Sequence, residues 1–473
     1  MMIPRSLVPG VVLWVAAMAL STVFSASATG SFPRPAGAAG FSIADAIEAA
    51  EPGATIEVPP GEYNEQLVIE KPVTLQGAGL PVIDGGGKGD VVVVKAAGVT
   101  IRGFVIRHSG RVVSDESAGI RLLEDGATIE GNRLEDVMYG ITVWDSGGHT
   151  MKDNRISSIS EYPVERRGHA IYMYNSTDNL IAGNTISAVR DGFFLGFTKN
   201  THIESNIVTD ARYGIHYMYS EDNTFKSNVF KHNIAGGALM FSERIIFEQN
   251  EFSDNTSVAS GYGLLFKDVD DITMVDNWIY GNRIGLTMEG TPHTPGGFVN
   301  IEHNFISFNQ IAVEMTSTTA VTFTENTFIG NLHLVESRGD IISSKNRWSA
   351  NGRGNFWDGY RGYDANGDGV GDIEYRYEGA YDDLVRENDA LRAYSYTPAR
   401  TALDMAAEWF PVYRPEPRVV DDHPLMSPPM KLAASQSTSG RLVVAIVMAA
   451  LVAVPLAVFR VAATRGTRKW RAC

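Results

Sequence analysis

Ile181-Ala182-Gly183-Asn184-Thr185-Ile186 is answered 22 residues later by Ile203-Glu204-Ser205-Asn206-Ile207-Val208. The same spacing then brings Phe225-Lys226-Ser227-Asn228-Val229-Phe230 and Phe247-Glu248-Gln249-Asn250-Glu251-Phe252. Followed in both directions, the asparagine recurs as Asn132, Asn154, Asn184, Asn206, Asn228, Asn250, Asn277, Asn304, Asn326 and Asn346. Successive differences are 22, 30, 22, 22, 22, 27, 27, 22 and 20. A period of this length marks a repeat architecture, and the β-rich composition of each unit makes it an all-β solenoid with coils of about 22 residues. Most of the chain is therefore scaffold, and function is sought where the repeat is decorated or broken.

Each repeat reads as two strand-like pieces. In the first, bulky apolar residues stand three before the asparagine (Ile129, Met151, Ile181, Ile203, Phe225, Phe247, Met274, Ile301, Phe323) and two after it (Leu134, Ile156, Ile186, Val208, Phe230, Phe252, Ile279, Ile306, Phe328). Side chains recurring once per coil stack into internal columns. The second piece starts near a glycine, as in Gly140-Ile141-Thr142-Val143-Trp144, Gly192-Phe193-Phe194-Leu195-Gly196 and Gly214-Ile215-His216-Tyr217-Met218. Alternation along a strand sends Ile141, Ile171, Phe193 and Ile215 inward, with Val143, Met173, Leu195, Tyr217 and Leu239. The opposite set, expected outside, is Thr142, Trp144, Tyr172, Tyr174, Phe194, His216, Met218 and Met240. So much aromatic and thioether surface marks an interaction site, and Trp144, Tyr172, Tyr174 and Phe194 are the expected partner-binding residues.

The asparagine suits a tight turn, since it tolerates the left-handed backbone region, and stacked asparagines can bond along a ladder. Ser42 to Ala50 reads as a short amphipathic helix capped by Ser42, covering the open end of the solenoid. Gly61 to Val105 supplies the first coils. Insertions at Glu161–Gly168 and Thr291–Gly297 lengthen two of the repeats.

The two ends differ from this pattern. Arg5, the apolar run Val11–Phe24 and the small-residue site Ala26-Ser27-Ala28 read as an export signal over residues 1–28. Leu442–Phe459 is an uncharged apolar run of 18 residues, flanked by Arg441 and followed by Arg460, Arg465, Arg468, Lys469 and Arg471. That is long enough to span a bilayer, and the positive excess belongs on the cytoplasmic side. The expected organisation is a signal peptide (1–28), a β-helix (41–350) and an Asp/Gly-rich loop with a helical tail for partner docking (351–432). A linker (433–440), a transmembrane helix (442–459) and a cytoplasmic basic tail (460–473) complete it. The chain is thus expected outside the cytoplasm, tethered to a membrane. The formal net charge of −15 argues against nucleic acid as a partner. The single cysteine, Cys473, leaves the exported part without disulfides or thiolate ligands.

Several strings go beyond solenoid grammar: Arg190-Asp191-Gly192-Phe193, Arg212-Tyr213-Gly214-Ile215-His216-Tyr217-Met218-Tyr219-Ser220, Ala238-Leu239-Met240-Phe241-Ser242 and Gly354-Asn355-Phe356-Trp357-Asp358. With Asp364 to Asp372, Ala402-Leu403-Asp404-Met405-Ala406 and Asp421 to Pro424, they resemble the NosD family of periplasmic accessory proteins for nitrous oxide reductase maturation. The similarity runs from about residue 41 through residue 430. It implies a right-handed parallel β-helix that is not an enzyme. It also implies partnership with an ABC transporter (permease and ATPase), a copper chaperone and the apo-reductase. Family members are usually soluble in the periplasm, so the C-terminal apolar segment departs from the family pattern.

His216, Met218 and Met240 form the sharpest candidate metal set. His216 and Met218 share a strand face, and Met240 follows 22 residues later. Imidazole and thioether donors without thiolate suit transient Cu(I) contact; the other reading is a hydrophobic docking patch with an incidental histidine. Asp364, Asn366, Asp368 and Asp372, with Gly369 at the sixth position, match the start of a calcium loop. Position twelve is Tyr375 rather than Glu, so either structural Ca²⁺ or an Asx-rich turn accounts for the segment. Arg190, Asp191 and Arg212 are expected as an exposed, solvated charge ladder of little energetic weight. A competing function is a polysaccharide-acting lyase or epimerase, or a carbohydrate-binding protein, since this fold hosts many. Against an epimerase, the chain has no Asp-Pro dipeptide.

Overall fold

The computed structural model describes residues 40–338, 346–378, 381, 384, 388–394, 397–409 and 417–430. The expected signal peptide, linker, membrane segment and basic tail lie outside these residues. Among the described residues no helix is long and apolar enough to cross a membrane. The chain divides into two compact units between Ser220 and Glu221.

In the first unit every coil contributes strands that pair parallel with the next coil, residue on like residue. Ile101, Ile129, Met151, Ile181 and Ile203 are consecutive register partners and all are fully buried. Leu134, Ile156, Ile186 and Val208 form a second buried column. The third ladder runs through Ala118–Leu122, Tyr139–Trp144, Ile171–Thr177, Asp191–Lys199 and Tyr213–Met218. Alternation places Ile141, Ile171, Phe193, Ile215, Val143, Met173, Leu195 and Tyr217 in the interior, all at zero exposure. Most of these are β-branched or aromatic residues, which suit a half-buried pleated surface; Met173 and Leu195 are the exceptions. A coil thus has three strands rather than two, because the piece around the asparagine is broken at a corner.

The corner works differently from the sequence expectation. The left-handed step falls on the residue before the asparagine: Gly131, Asp153, Gly183 and Ser205 have positive φ. The asparagine itself is buried and bonds between coils. Asn132 N donates to Asn154 Oδ1 at 3.0 Å, Asn154 N to Asn184 Oδ1 at 3.0 Å, and Asn184 N to Asn206 Oδ1 at 2.9 Å. Each Nδ2 also donates to a backbone carbonyl, such as Asn154 to Ile129 O at 2.8 Å. A buried amide with its groups satisfied both ways fixes the register, since an orphaned one would cost roughly 1–3 kcal/mol.

The second unit repeats this ladder through Asn228, Asn250, Asn277, Asn304 and Asn326. Its next rung is Asn355, which accepts from Asn326 N at 3.0 Å and Asn326 Nδ2 at 2.8 Å. Asn346, expected as the tenth rung, is off the ladder: it accepts from Val321 N and donates to Thr318 O. The coil here is longer than the repeat, and Trp348 takes the interior place by stacking on Phe323 at 4.2 Å. A second ladder, Asn233, Asn255, Asn282, Asn309 and Asn331, runs beside the first and was not anticipated.

Both chain ends of the described fold are covered. The helix Ile43–Ala49 buries Ile43 and Ile47. Ser42 Oγ accepts from Asp45 N at 3.1 Å, as the capping pattern predicts, and Glu65 accepts from Ile43 N and Ala44 N. At the other end Val419–Asp421 pairs antiparallel with Tyr375–Tyr377. Gly354 N donates to His423 O and Leu425 N to Asn355 O, so the strings around 354 and 421 meet. The expected helical tail appears as Pro398–Trp409. Its Arg400 is buried and pairs with Glu336.

Candidate functional site

The outward face of the third ladder in the first unit carries the candidate residues. Register places Arg121, Thr142, Tyr172, Phe194 and His216 in one column. Trp144, Tyr174, Gly196 and Met218 form the next. Tyr172 and Phe194 stack at 4.8 Å with their planes 12° apart, and Phe194 meets His216 edge-on at 4.8 Å. Trp144 leans on both Tyr172 and Tyr174 at 5.2 and 5.4 Å. Gly196 places no side chain between Tyr174 and Met218; a Cβ there would touch Phe194 and Tyr174 at 3.4 Å. Thr142, expected outside, is buried, because the larger Arg121 and Tyr172 flank it in register.

The insertion at Glu161–Gly168 lies against this face. Tyr162 and Tyr172 pack on a small core of Ala118, Met138, Tyr139 and Ile159. Arg167 Nε donates to Tyr162 O at 2.8 Å, holding the loop.

Asp191 corrects the expected solvated ladder. It has zero exposure and is the centre of a charge cluster. Arg212 grips it with two bonds, Nε to Oδ1 at 2.9 Å and Nη2 to Oδ2 at 2.6 Å. His216 Nδ1 and His169 Nδ1 each lie 3.1 Å from the same Oδ2. Burial pushes the Asp191 carboxyl up, but the neighbouring His169, His216 and Arg212 outweigh it and hold the group well below the usual carboxylate range. Burial depresses the His169 pKa, against the opposing pull of the Asp191 carboxylate. Phe194 packs on both imidazoles, at 5.0 Å from His169 and 4.8 Å from His216. Losing one partner of such a cluster costs about 3–5 kcal/mol, far more than an exposed pair.

His169 and Asp191 are 22 residues apart and occupy one position in successive coils, a signal present in the spacing. Phe197 and Tyr219 were also missed. They stack at 5.2 Å with a 13° interplanar angle, and both are exposed at corners with φ near 50°. Asp145 and Asn175 occupy the same corner in earlier coils. A bulky ring in this backbone region costs roughly 1–2 kcal/mol, so the fold does not require it there.

Met240 ends the strand Ala235–Met240 of the second unit, half-buried on its outward face. Among the described residues no three His, Cys, Asp or Glu side chains converge as a metal cage. A soft-metal contact would therefore draw on the imidazole of His216 and the thioether of Met218, which fit Cu(I) in donor type. In the 364–372 loop the carboxylates face the backbone. Asp364 accepts from Gly367 N and Gly369 N at 2.6 and 2.8 Å, which lowers its pKa, and Asp372 accepts from Ala365 N at 2.6 Å. Asn366 Nδ2 donates to Asp368 Oδ2 at 2.9 Å.

A family model described as "Periplasmic copper-binding protein (NosD)" matches residues 157–362, and one for a protein of unknown function matches residues 29–225. The chain is 35% identical over 381 residues to a "Probable ABC transporter binding protein NosD" from Pseudomonas aeruginosa, covering 78% of this chain and 87% of that protein. A protein of the same description from Stutzerimonas stutzeri is 30% identical over 386 residues, covering 79% and 86%. Among solved structures, the catalytic domain of a GH87 α-1,3-glucanase with nigerose is similar at a TM-score of 0.44 and 15% identity, over 68% of this chain and 69% of that one. The mannuronan C-5 epimerase A-module of Azotobacter vinelandii is similar at 0.40 and 14%, over 63% and 93%.

Proposed function

The chain belongs to the NosD family, and from that premise we propose that it is a non-catalytic accessory protein for assembling the copper centres of nitrous oxide reductase. It works in the periplasm as a stiff scaffold linking an ABC transporter, a copper chaperone and the apo-reductase. Copper passes as cargo, touching His216 and Met218 on the first unit; Met240, on the second unit, is a separate thioether contact. Trp144, Tyr172, Tyr174 and Phe194, joined by Phe197 and Tyr219, form the docking surface. Residues 442–459 tether the protein beside the permease.

The observation that carries this reading is the outward face of the first unit, where stacked rings flank a half-buried imidazole and thioether. Aromatic anchors of this kind dominate protein–protein recognition. For the 364–372 loop, the inward-facing carboxylates support an Asx-rich turn that closes without a cation.

The test is the copper content of reductase purified from cells lacking this chain. Reductase is expected to lose its copper and to regain it with the intact protein. A His216→Gln, Met218→Leu double variant, which keeps side-chain volume, is expected to restore markedly less. Full copper loading without the chain, or uronate lyase or epimerase activity in the purified protein, would defeat the proposal.

A further inference from the structure

We infer that Asp191 is a positioning residue that decides which ring nitrogen of His216 faces outward as a lone pair. The inference rests on the copper-contact reading above. Nδ1 of His216 has two neighbours of opposite demand: Asp191 Oδ2 at 3.1 Å and Arg212 Nη2 at 3.4 Å. If the carboxylate accepts from the ring, Nδ1 carries the proton and Nε2 is a bare donor. If the guanidinium donates to the ring, the proton sits on Nε2 and the imidazole cannot bind a metal there.

Three observations choose the first arrangement. Arg212 Nη2 already donates to Asp191 Oδ2 at 2.6 Å, while its approach to the ring is at the long limit for a hydrogen bond. Asp191 is wholly buried, so no water competes for its oxygens. The ring is held in place by edge contacts with Phe194 at 4.8 Å and Tyr213 at 5.5 Å. His169 shares the same carboxylate oxygen but is itself buried, so it supports the cluster, whereas His216 reaches the surface. A carboxylate behind a ligating imidazole typically changes metal affinity ten- to a hundredfold.

The test uses the full chain, metal-free, labelled with ¹⁵N-histidine, and reads ring nitrogens by solid-state NMR. The His216 signals are identified by difference from a His216→Gln variant. The expected result is a pyrrole-type Nδ1 and a pyridine-type Nε2; the reverse assignment overturns the inference, with no change made at position 191. In Asp191→Asn, a mixture of tautomers is expected. Its Cu(I) affinity, measured against a chromophoric chelator, should fall about ten- to a hundredfold, with His216→Gln as reference. An Asp191→Asn protein that folds and keeps a single Nδ1–H tautomer also overturns it. A correct tautomer with Cu(I) affinity indifferent to His216→Gln would instead sink the copper-contact reading and leave the role of Asp191 standing.

Discussion

Asn355 donates its backbone N–H to Asp421 Oδ2 over 2.7 Å, so a ladder made of amides ends on a carboxylate. Asp421 also accepts from Trp357 Nε1 at 2.8 Å and His423 N at 3.1 Å. Burial outweighs these donors and pushes its pKa up to about 6 from an ordinary 3.8. A carboxyl raised on folding binds its proton more tightly in the folded state. Its contribution is therefore most favourable below pH 4, falls as pH rises through 4 to 6, and is least favourable above about 6. Unfolding measured across that window should show a loss approaching 3 kcal/mol from this group, in order of magnitude. Asp421→Asn should flatten the slope relative to the unmodified chain; an unchanged slope would show that Asp421 titrates normally.

Gly354 has no room for a side chain. A Cβ there would lie 1.8 Å from Asp421 Oδ1, against a buried group held by three donors. Gly354→Ala should therefore dislodge the 417–430 segment, and limited proteolysis should cut there first. Equal resistance in the two proteins would refute the tight approach.

The two asparagines that sequence spacing treats alike should behave unlike each other. Asn277→Ala removes the acceptor of both Asn250 donors and the donors to Phe247 O and Asn304 Oδ1. Urea unfolding should register a loss of roughly 2–5 kcal/mol. Asn346→Ala, which leaves the ladder intact, should cost under about 1.5 kcal/mol.

Phe197 and Tyr219 adopt a backbone conformation that asparagine accepts readily, as Asn175 does one coil earlier. Replacing both by asparagine trades ring stacking for relief of strain, so stability should move by less than about 1 kcal/mol. Retention of the transporter on the immobilised protein should nevertheless drop at least tenfold. A double variant that retains the transporter fully would remove these rings from the docking surface.

Period and alternation made the interior readable: every residue placed inward in the two asparagine-flanking columns is buried, from Ile129 to Phe328. What they missed has physical reasons. Asn346 shares the spacing of a rung, but the coil around Trp348 is longer and hands the place to Asn355. Asp191 reads as a surface charge because the coil period does not reveal that Arg212 and His216 turn onto its carboxylate. Thr142 obeyed alternation and was still sealed, since outward direction and exposure differ when neighbours are large. Phe197 and Tyr219 carry a legible sign, rings at a corner where other coils use Asp145 and Asn175, but the asparagine period does not mark that corner as left-handed.

In the second unit each amide passes its hydrogen to the oxygen of the following turn, from Asn228 to Asn355. Such a stack is a vector: each of these N–H groups points the same way along it, so its last rung needs an acceptor from outside the repeat. Length can then change only by whole turns, because a partial one would leave a hydrogen pointing at nothing. Asp421 is the stopper at the hydrogen-rich end, supplying the acceptor that the last rung, Asn355 N, would otherwise lack.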